Sequence, residues 1–373
     1  MYKVAVVGAG HAGVEAAVKL AEGGCAVELW SNEKVLPYFR PRLIAVAFGQ
    51  TPADEIALKK AAFYADAKIL LRHESVTDFN ASTCLVNGQS YDGIVLAQGS
   101  TPFVPPFTGA RERLLTLWTM AEAETLRAHV APGRRLTIIG GGVLGLESAL
   151  RAAMAGMNVT VVEGCPHLVN GVLAGGAEQQ LRATLEAKGI HLLTGACVTT
   201  IAAHSITLGD GNEIVDDVAL CSTGARGNVS LATSAGFLAD GGLKTSATLS
   251  LAPRIYAAGD MARPTEARPI CAVRRATAMG TLAAANLLAE LEGRPARPWI
   301  DLQLPLFMKV GDVEFHTLGE TNATDVEERR IDDGTHPALW QSILFRGEQP
   351  VALRFVGTRA GFSDWEKKLV ARS

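Results

Sequence analysis

The chain has 373 residues, of which 48% are hydrophobic and 20% are charged, and its formal net charge is −3. This length suffices for two or three domains with complete hydrophobic cores, and the composition excludes a disordered chain. The slightly negative charge, without any basic run interleaved with aromatic residues, argues against a protein that binds nucleic acid.

The cysteines and the first residues of the chain indicate in which cellular compartment the protein is expected. No two of the six cysteines have the C-x-x-C spacing of a metal or redox site, so we interpret them as reduced packing residues and expect no metal. The first strand begins by Val4 without a secretory leader, and no apolar run reaches the roughly 18 residues of a membrane span. We therefore expect a cytoplasmic protein that does not bind membranes.

An apolar segment at the start of the chain runs into a glycine triplet. Residues 2–7 have the pattern of a strand, Gly8, Gly10 and Gly13 have the spacing G-x-G-x-x-G, and an alanine-rich helical pattern follows. Gly8 permits a tight turn, Gly10 lets the backbone approach a pyrophosphate, and Gly13 lets the helix pack closely on the strand. The pattern predicts a dinucleotide site with the pyrophosphate at the helix N-terminus.

A second strand is expected over 26–30, and an acidic residue follows it. The acid that hydrogen-bonds a ribose is expected about twenty positions after the last glycine, which favours Glu33, with Glu28 as the alternative. The next loop carries Arg40 and Arg42 between prolines. These arginines serve an anionic cofactor or an acidic partner, or they are ordinary solvated loop residues.

Further elements lead to a first crossover between domains. A helix is expected over 53–63, and Asn87-Gly88 predicts a hairpin turn. A buried-type strand then ends in Ala97-Gln98-Gly99, and the proline-dense stretch 101–106 predicts the crossover.

The whole unit recurs in the second part of the chain. Gly140, Gly142 and Gly145 repeat the spacing between a strand and a helix, and a later strand ends in Ser222-Thr223-Gly224. Glu163 follows the next strand, where a carboxylate accepts from both ribose hydroxyls and repels a 2′-phosphate, and 164–168 contain no Lys or Arg. The repeat predicts two dinucleotides that react with each other, and Glu163 favours NADH over NADPH.

A short apolar strand ends in Gly259-Asp260, where the acid can reach a ligand hydroxyl, because open α/β sheets bind ligands at that edge. Taken alone, the pair is better interpreted as a plain Gly-Asp turn. A long helix is expected over 271–291, with Arg274 and Arg275 in its first turn. Cations there oppose the helix dipole, so either solvent screens them or the charge has a function. The chain after residue 298 alternates like a small antiparallel sheet.

Together these motifs resemble the pyridine nucleotide-disulfide oxidoreductase-like flavoproteins, and within them the NADH:rubredoxin and NADH:flavorubredoxin reductases. The resemblance to the family is carried by both glycine triplets, the loop from Pro37 to Pro41, Ala97-Gln98-Gly99, Ser222-Thr223-Gly224 and Gly259-Asp260. The narrower resemblance to these reductases is carried by the compact length and by the segments 40–43, 103–106 and 316–321. It implies an α/β fold with two Rossmann-like dinucleotide-binding domains, each of three layers (ββα), and a small α+β C-terminal domain. The implied ranges are 1–107 with 240–297 for the FAD-binding domain, 108–239 for the NAD-binding domain and 298–373 for the C-terminal interface domain.

The resemblance also implies the cofactors, FAD and NADH, and the residues that hold them. No catalytic side chain is expected because the cofactors carry the chemistry, although Glu147 is expected near the nicotinamide. The implied FAD-binding residues are Gly8, Ala9, Gly10, His11, Ala12, Gly13, Glu33, Arg40, Val76, Ala97, Gly99, Gly259 and Asp260. The implied NAD-binding residues are Gly140, Gly142, Gly145, Glu147, Glu163 and Gly224.

Three departures from the family pattern narrow the function. Residues 43–49 contain none of the cysteines on which disulfide and peroxide reduction depend, so no redox disulfide is expected. Ile44 and Ala45 stand where many relatives have a lysine near the flavin. Gln98 replaces the usual threonine, a change for which we have no physical account.

We therefore predict an NADH oxidoreductase that passes a hydride to FAD and then single electrons to a small, acidic, rubredoxin-like iron protein. Arg42, Arg274 and Arg275 are expected to dock that carrier. The alternatives are an NADH oxidase that reduces oxygen directly and a non-enzymatic flavoprotein that senses NADH.

Overall fold

The computed structural model describes residues 1–265, 271–301, 305–310, 313–321, 325–331, 340–357 and 359–370. Within these ranges no helix is long and apolar enough to cross a membrane.

The first sheet takes strands from two distant parts of the chain. Its strand order is Ser250–Ala252, Ile255–Ala257, Gly93–Leu96, Lys3–Val7, Ala26–Trp30 and Ile69–Arg72. All neighbours are parallel except the first pair. Val4 and Ile94 are fully buried, as expected for parallel strands covered on both faces. The carboxyl ends of the parallel strands therefore share one edge.

Two helices that pack on this sheet, His11–Glu22 and Val273–Leu291, begin close together. A Cβ on Gly280 would lie within 3.0 Å of the Ala12 carbonyl oxygen, so the second helix can cross the first only with glycine there. A Cβ on Gly259 would lie 3.0 Å from that of Ala12 and 4.0 Å from that of Ala276. The first turns of both helices thus meet at the Gly259-Asp260 edge.

The segment between the second and third strands differs from the prediction. Instead of one helix over 53–63, a 3₁₀ turn at Ala53–Ile56 and a helix at Ala61–Asp66 are separated by extended backbone. The cause is tertiary pairing, because Ala57 forms an antiparallel bridge with Tyr38. The predicted hairpin at Asn87-Gly88 is confirmed, since Leu85–Val86 pairs with Gln89–Ser90. The other short elements of this part are Arg40–Arg42 (3₁₀), Leu43–Ala47 (helix) and Phe79–Asn80 (strand).

The second parallel sheet repeats the first. Its strand order is Leu114–Leu115, Val218–Cys221, Arg135–Ile139, Asn158–Glu163 and His191–Thr194. Its helices are Met120–Arg127, Val143–Met154 and Gly175–Glu186. A smaller sheet beside it has the order Glu213–Val215, Ser205–Leu208, Val198–Ile201 and Thr108–Gly109.

Short elements lie beside the two main sheets. Ser100–Pro102 pairs antiparallel with Ala225–Gly227 and joins segments of the two units. Leu243–Lys244 pairs parallel with Ala262–Arg263, next to the last strands of the first sheet. The remaining short helices are Ser230–Ser234 and the 3₁₀ turns Arg111–Arg113 and Gly259–Met261. Helix Leu43–Ala47 belongs to the first unit in sequence but packs in the hydrophobic core of the second.

The C-terminal part is an antiparallel sheet with one helix against it. The strand order is Leu306–Val310, Val313–Gly319, Gln349–Val356, Trp340–Arg346 and Glu327–Arg330. Helix Phe362–Val370 covers it through Phe362, whose ring lies 5.3 Å from that of Phe355. Strand Glu327–Arg330 and this helix were not predicted. Two parallel-sheet units and this α+β part confirm the predicted fold class.

Candidate cofactor site

The first glycine turn has the geometry that its spacing predicts. Gly8 has φ +107°, and a Cβ there would lie within 3.0 Å of the Ala97 carbonyl oxygen. A Cβ on Gly13 would collide with the Gly8 carbonyl oxygen, whereas one on Gly10 would meet nothing within 4 Å. Gly8 and Gly13 are therefore required by the fold, and Gly10 leaves open space in front of the helix N-terminus.

The second turn reproduces this arrangement. Gly140 has φ +113°, and a Cβ there would lie within 3.0 Å of the Ser222 carbonyl oxygen. A Cβ on Gly145 would collide with the Gly140 carbonyl oxygen, and Gly142 faces open space. The internal repeat therefore extends to individual backbone contacts.

A cavity of about 770 Å³ opens at the carboxyl edge of the first sheet. Its wall contains almost all of the predicted FAD-binding residues, and Gly13 lies behind the turn instead. The predicted FAD-binding residues in the wall are Gly8, Ala9, Gly10, His11, Ala12, Glu33, Arg40, Val76, Ala97, Gly99, Gly259 and Asp260. The cavity is thus formed by chain segments that are far apart in sequence.

The two candidate ribose acids occupy different environments. Glu28 is 6% exposed and forms ion pairs with Lys3 at 2.9 Å and Arg72 at 2.8 Å. It also accepts a hydrogen bond from Tyr91. Because these contacts occupy its carboxylate within the protein, Glu28 is a structural residue. Glu33 lies in the cavity wall.

Glu33 and Arg40 link the cavity to the second unit. Arg40 donates from Nη2 to Glu33 Oε1 at 3.1 Å and from Nη1 to the carbonyl oxygen of Trp118. Tyr38 donates its hydroxyl to Glu33 Oε2 at 2.7 Å, and the Met120 backbone N–H donates to the same oxygen at 3.2 Å. The carboxylate is therefore oriented by the protein, and its orientation depends on the contact between the two units.

Unpaired polar atoms in the wall test whether a dinucleotide fits. Among the described residues, the buried atoms His11 Nε2 and Gln98 Oε1 have no hydrogen-bond partner. Burial and the charge of Arg40 lower the pKa of His11 to about 4, so the ring is neutral at neutral pH. No side chain caps helix His11–Glu22, which leaves its first N–H groups for an anion. These donors and acceptors, with Arg40, fit the pyrophosphate and hydroxyl groups of FAD.

The opposite end of the wall contains a hydrogen-bonded cluster. Ser100 donates from Oγ to Asp260 Oδ2 at 2.8 Å, and the same Oγ lies 3.8 Å from Cys271 Sγ. Burial raises the pKa of Asp260. Burial and the Asp260 carboxylate raise the pKa of the Cys271 thiol to about 12, so it carries a proton at neutral pH. All six cysteines are free thiols.

The second unit contributes to this same cavity. Val143, Leu144 and Glu147, on the helix after the second glycine turn, lie in its wall. Burial raises the pKa of Glu147, and the charge of Arg151 opposes the shift. The other predicted NAD-binding residues, Gly140, Gly142, Gly145, Glu163 and Gly224, lie outside the wall. The helix of the second turn therefore reaches the first site.

Glu163 is held by its own backbone surroundings. Its Oε2 accepts from the Gly141 N–H at 2.6 Å, and its Oε1 accepts from the Cys165 N–H at 2.7 Å. In the part of the chain that the structure describes, no Lys or Arg forms an ion pair with it. Each oxygen keeps a lone pair for a further donor such as a ribose hydroxyl.

The three arginines predicted to dock a carrier do not share one environment. Arg42 and Arg274 are exposed, whereas Arg275 is 6% exposed. Its guanidinium lies over the Trp299 ring and 4.0 Å from Asp301. The prediction that Arg275 docks the carrier was therefore wrong. Adjacent residues on a helix point in directions about 100° apart, so Arg274 faces solvent while Arg275 is buried.

Sequence reasoning also missed wall residues. Ser100, Trp118 and Cys271 lie in the wall, and Trp118 Nε1 donates to the Ser100 carbonyl oxygen at 2.6 Å. Ser100 follows the end of strand Gly93–Leu96, and Cys271 precedes the start of helix Val273–Leu291. These positions at a strand end and a helix start are the signal by which the sequence could have indicated them. Trp118 enters from the second unit, and nothing local in its sequence indicates this.

The chain matches the family model described as pyridine nucleotide-disulphide oxidoreductase over residues 2–280. The chain belongs to this family. It is therefore a flavoprotein oxidoreductase that uses FAD and a nicotinamide nucleotide. The predicted resemblance is confirmed, since relatives include rubredoxin and flavorubredoxin reductases.

The relatives of this chain differ in length. It is 31% identical to the rubredoxin-NAD(+) reductase of Pseudomonas putida over 69% of the chain and 71% of that protein. It is 27% identical to the nitrite reductase [NAD(P)H] of Bacillus subtilis over 95% of the chain, but it spans only 45% of that protein. A solved putidaredoxin reductase–putidaredoxin complex matches 100% of the chain and 93% of that chain at a TM-score of 0.88 and 24% identity, which shows a common fold.

Proposed function

We propose that this chain transfers electrons from NADH, through FAD, to a small acidic iron protein of the rubredoxin type. One observation carries the proposal: the wall of a single cavity contains the first glycine turn and Glu147, from the helix of the second turn. When bound, FAD supplies the chemistry of accepting a hydride and releasing electrons singly. The side chains bind and orient the two nucleotides.

Within this proposal the first unit holds FAD. The free N–H groups of helix His11–Glu22 and Arg40 bind the pyrophosphate, Glu33 accepts from the ribose, and Asp260 binds near the ribityl chain. The domain ranges 1–107 with 240–297, 108–239 and 298–373 are part of the proposal. Strands 250–257 of the first sheet support the split of the first range.

The second turn binds the nicotinamide nucleotide in this scheme. Gly140, Gly142 and Gly145 form the turn that binds the pyrophosphate. Gly224 belongs to the same nucleotide site, and Glu147 lies beside the nicotinamide. Glu163, fixed by two backbone N–H groups, accepts from a ribose hydroxyl and repels a 2′-phosphate. This supports NADH as the substrate.

The surroundings of the cavity favour a one-electron acceptor over a disulfide. Helix Leu43–Ala47 after the arginine loop contains no cysteine. Cys271 lies in the wall, and desolvation together with the Asp260 carboxylate raises the pKa of its thiol, which disfavours the thiolate. A thiol without a thiolate is a poor nucleophile, so a covalent thiol step is disfavoured.

Charge and relatives support the class of acceptor. Arg40, Pro41 and Val273 line the cavity. The exposed Arg42 directly follows Pro41, and the exposed Arg274 directly follows Val273. Two cations next to the cavity favour an acidic partner. The Pseudomonas putida relative is named for rubredoxin.

The test is NADH consumption by the purified yellow protein without oxygen and with a rubredoxin, compared with the same protein given oxygen alone. We expect fast turnover that depends on the carrier and slow reduction of oxygen. Equal rates with both acceptors would contradict the proposal in favour of an NADH oxidase. Slow turnover with every acceptor would point to an NADH sensor instead.

A further inference from the structure

Arg275 occupies a position that is unfavourable for a cation. It lies in the first turn of helix Val273–Leu291, so its charge faces the positive end of the helix dipole. Its side chain is only 7% exposed, so solvent does not screen the charge. The cost of this placement must be offset by negative charge nearby.

The described partners of Arg275 supply only part of that charge. Nε lies 4.0 Å from Asp301 Oδ1, and the Asp301 side chain is 45% exposed. The guanidinium also lies 5.7 Å from the centre of the Trp299 ring. Among the described residues, Nη1 has no hydrogen-bond partner although it is buried. A buried guanidinium with an unused donor still has capacity to stabilise an anion.

The cavity wall lies on the same turn of helix. Val273 and Ala276, on either side of Arg275 in sequence, line the cavity. Each helical residue advances about 1.5 Å along the axis, so the backbone of Arg275 lies within one turn of the wall. Its charge also favours the ionised form of Asp260, another wall residue. Arg275 therefore acts on the cavity from behind its wall.

We propose that Arg275 tunes the reduction potential of FAD. A hydride brings two electrons and one proton, so FAD gains one negative charge while NADH becomes NAD⁺, and no bond forms to Arg275. The buried cation stabilises that negative charge and raises the potential. This inference rests on the proposed function, because it requires FAD in this cavity. Arg275 acts on FAD only through its charge, and it does not contact the electron carrier.

Four variants of the FAD-loaded protein test this. Arg275→Gln removes the charge, Arg275→Lys keeps it, and Asp301→Asn removes the counter-charge. Arg274→Gln is the matched control, because it removes the exposed charge of the neighbouring residue. The measurement is the midpoint potential of bound FAD, obtained by equilibration with a redox dye without oxygen.

We expect Arg275→Gln to shift the reduction equilibrium about tenfold toward oxidised FAD, which is a decrease of about 30 mV for a two-electron couple. Arg275→Lys should stay close to the wild type, and Arg274→Gln should not change the potential. Asp301→Asn should raise the potential, because it leaves the charge of Arg275 less compensated.

If bound FAD had the same midpoint potential in Arg275→Gln and Arg274→Gln, the inference would be overturned. If Arg275→Gln fails to fold or loses FAD, the test rests on Asp301→Asn. An unchanged or lower midpoint potential of FAD in Asp301→Asn would also overturn the inference. The expected shifts together with no reduction of rubredoxin would contradict the proposed acceptor but not this inference. A wild-type protein that binds no FAD would contradict both.

Discussion

The two glycine turns have the same backbone and different surroundings. Gly8 and Gly140 have φ +107° and +113°, and each packs on a carbonyl oxygen of the neighbouring strand end. His11 of the first turn corresponds to Val143 of the second. Beyond the turns, Glu33 is bound by Tyr38 and Arg40 and contacts the other unit, whereas Glu163 is bound by backbone groups of its own unit.

This difference indicates different relations to the ligand. The first turn opens on a cavity of about 770 Å³ whose wall also contains residues of the second unit. Arg40 and Trp118, which are joined by a hydrogen bond, both belong to that wall. The acid of the second turn remains in place whether or not the units separate. We infer that the first turn retains a cofactor and that the second exchanges a substrate.

The largest expected effect comes from placing a methyl group in each turn. Gly13→Ala and Gly145→Ala both drive a Cβ into a backbone carbonyl, so the turn must open at a cost of about 1–3 kcal/mol or more. We expect Gly13→Ala to be purified with less than about a tenth of its FAD. Gly145→Ala should keep FAD and be reduced by NADH at least about tenfold more slowly.

Absorbance of the purified flavin and stopped-flow reduction by NADH measure these outcomes, and the melting temperature monitors folding. Each variant is the control for the other, since the substitution and the clash are the same. Full flavin content in Gly13→Ala, or loss of flavin in Gly145→Ala, would remove the distinction between the turns.

The next effect concerns the two acids. Glu163→Gln removes the charge that repels a 2′-phosphate, so we expect the ratio of kcat/KM for NADH over NADPH to fall about tenfold, or about 1.4 kcal/mol. Glu33→Gln removes the same charge from the first site and should leave the ratio unchanged. An unaltered ratio in Glu163→Gln would mean that this carboxylate does not face the ribose.

A pH effect should distinguish His11 from its counterpart Val143. The pKa of His11 is lowered from 6.5 to about 4 by burial and by Arg40. The unfolded chain therefore binds a proton more readily between these values, so stability is present above pH 6.5 and is lost as pH falls toward 4. Allowing for partial exposure of the ring, we expect a loss of about 1–2 kcal/mol in the FAD-free protein.

His11→Val should remove this part of the pH dependence. Thermal unfolding midpoints of the FAD-free wild type and variant, measured from pH 6.5 to pH 4, test it. Parallel curves for the two proteins would show that His11 is not desolvated as described.

The smallest expected effect concerns the carrier. The double variant Arg42→Glu with Arg274→Glu should lower kcat/KM for an acidic carrier about fivefold at low salt, and the difference should vanish at high salt. The double variant Lys188→Glu with Lys244→Glu changes two exposed residues outside the cavity wall and is the control for the same change in net charge. Equal effects at both places would argue against docking beside the cavity.

The sequence predicts the turns well because their requirements are local. Spacing alone identified Gly8 and Gly140, since a tight turn against a neighbouring strand end tolerates only glycine there. It also located the strands that end in Gly99 and Gly259, because buried parallel strands are continuous apolar runs.

Features that depend on tertiary contacts were missed. The helical pattern over 53–63 is interrupted because Ala57 pairs with Tyr38, which is distant in sequence. Arg275 is buried against Trp299 and Asp301, which lie beyond the C-terminal end of its helix in the sequence. The charged strand Glu327–Arg330 has no apolar pattern and exists because it pairs at the sheet edge with Trp340–Arg346.

We propose that both turns serve one cavity. Mixing the FAD-loaded protein with NADH in the absence of oxygen, while following flavin absorbance, tests it most directly. We expect rapid and complete bleaching without any carrier, followed by recovery of absorbance when oxidised rubredoxin is added. Absence of bleaching at saturating NADH would mean that the second turn does not deliver a nicotinamide to the first site.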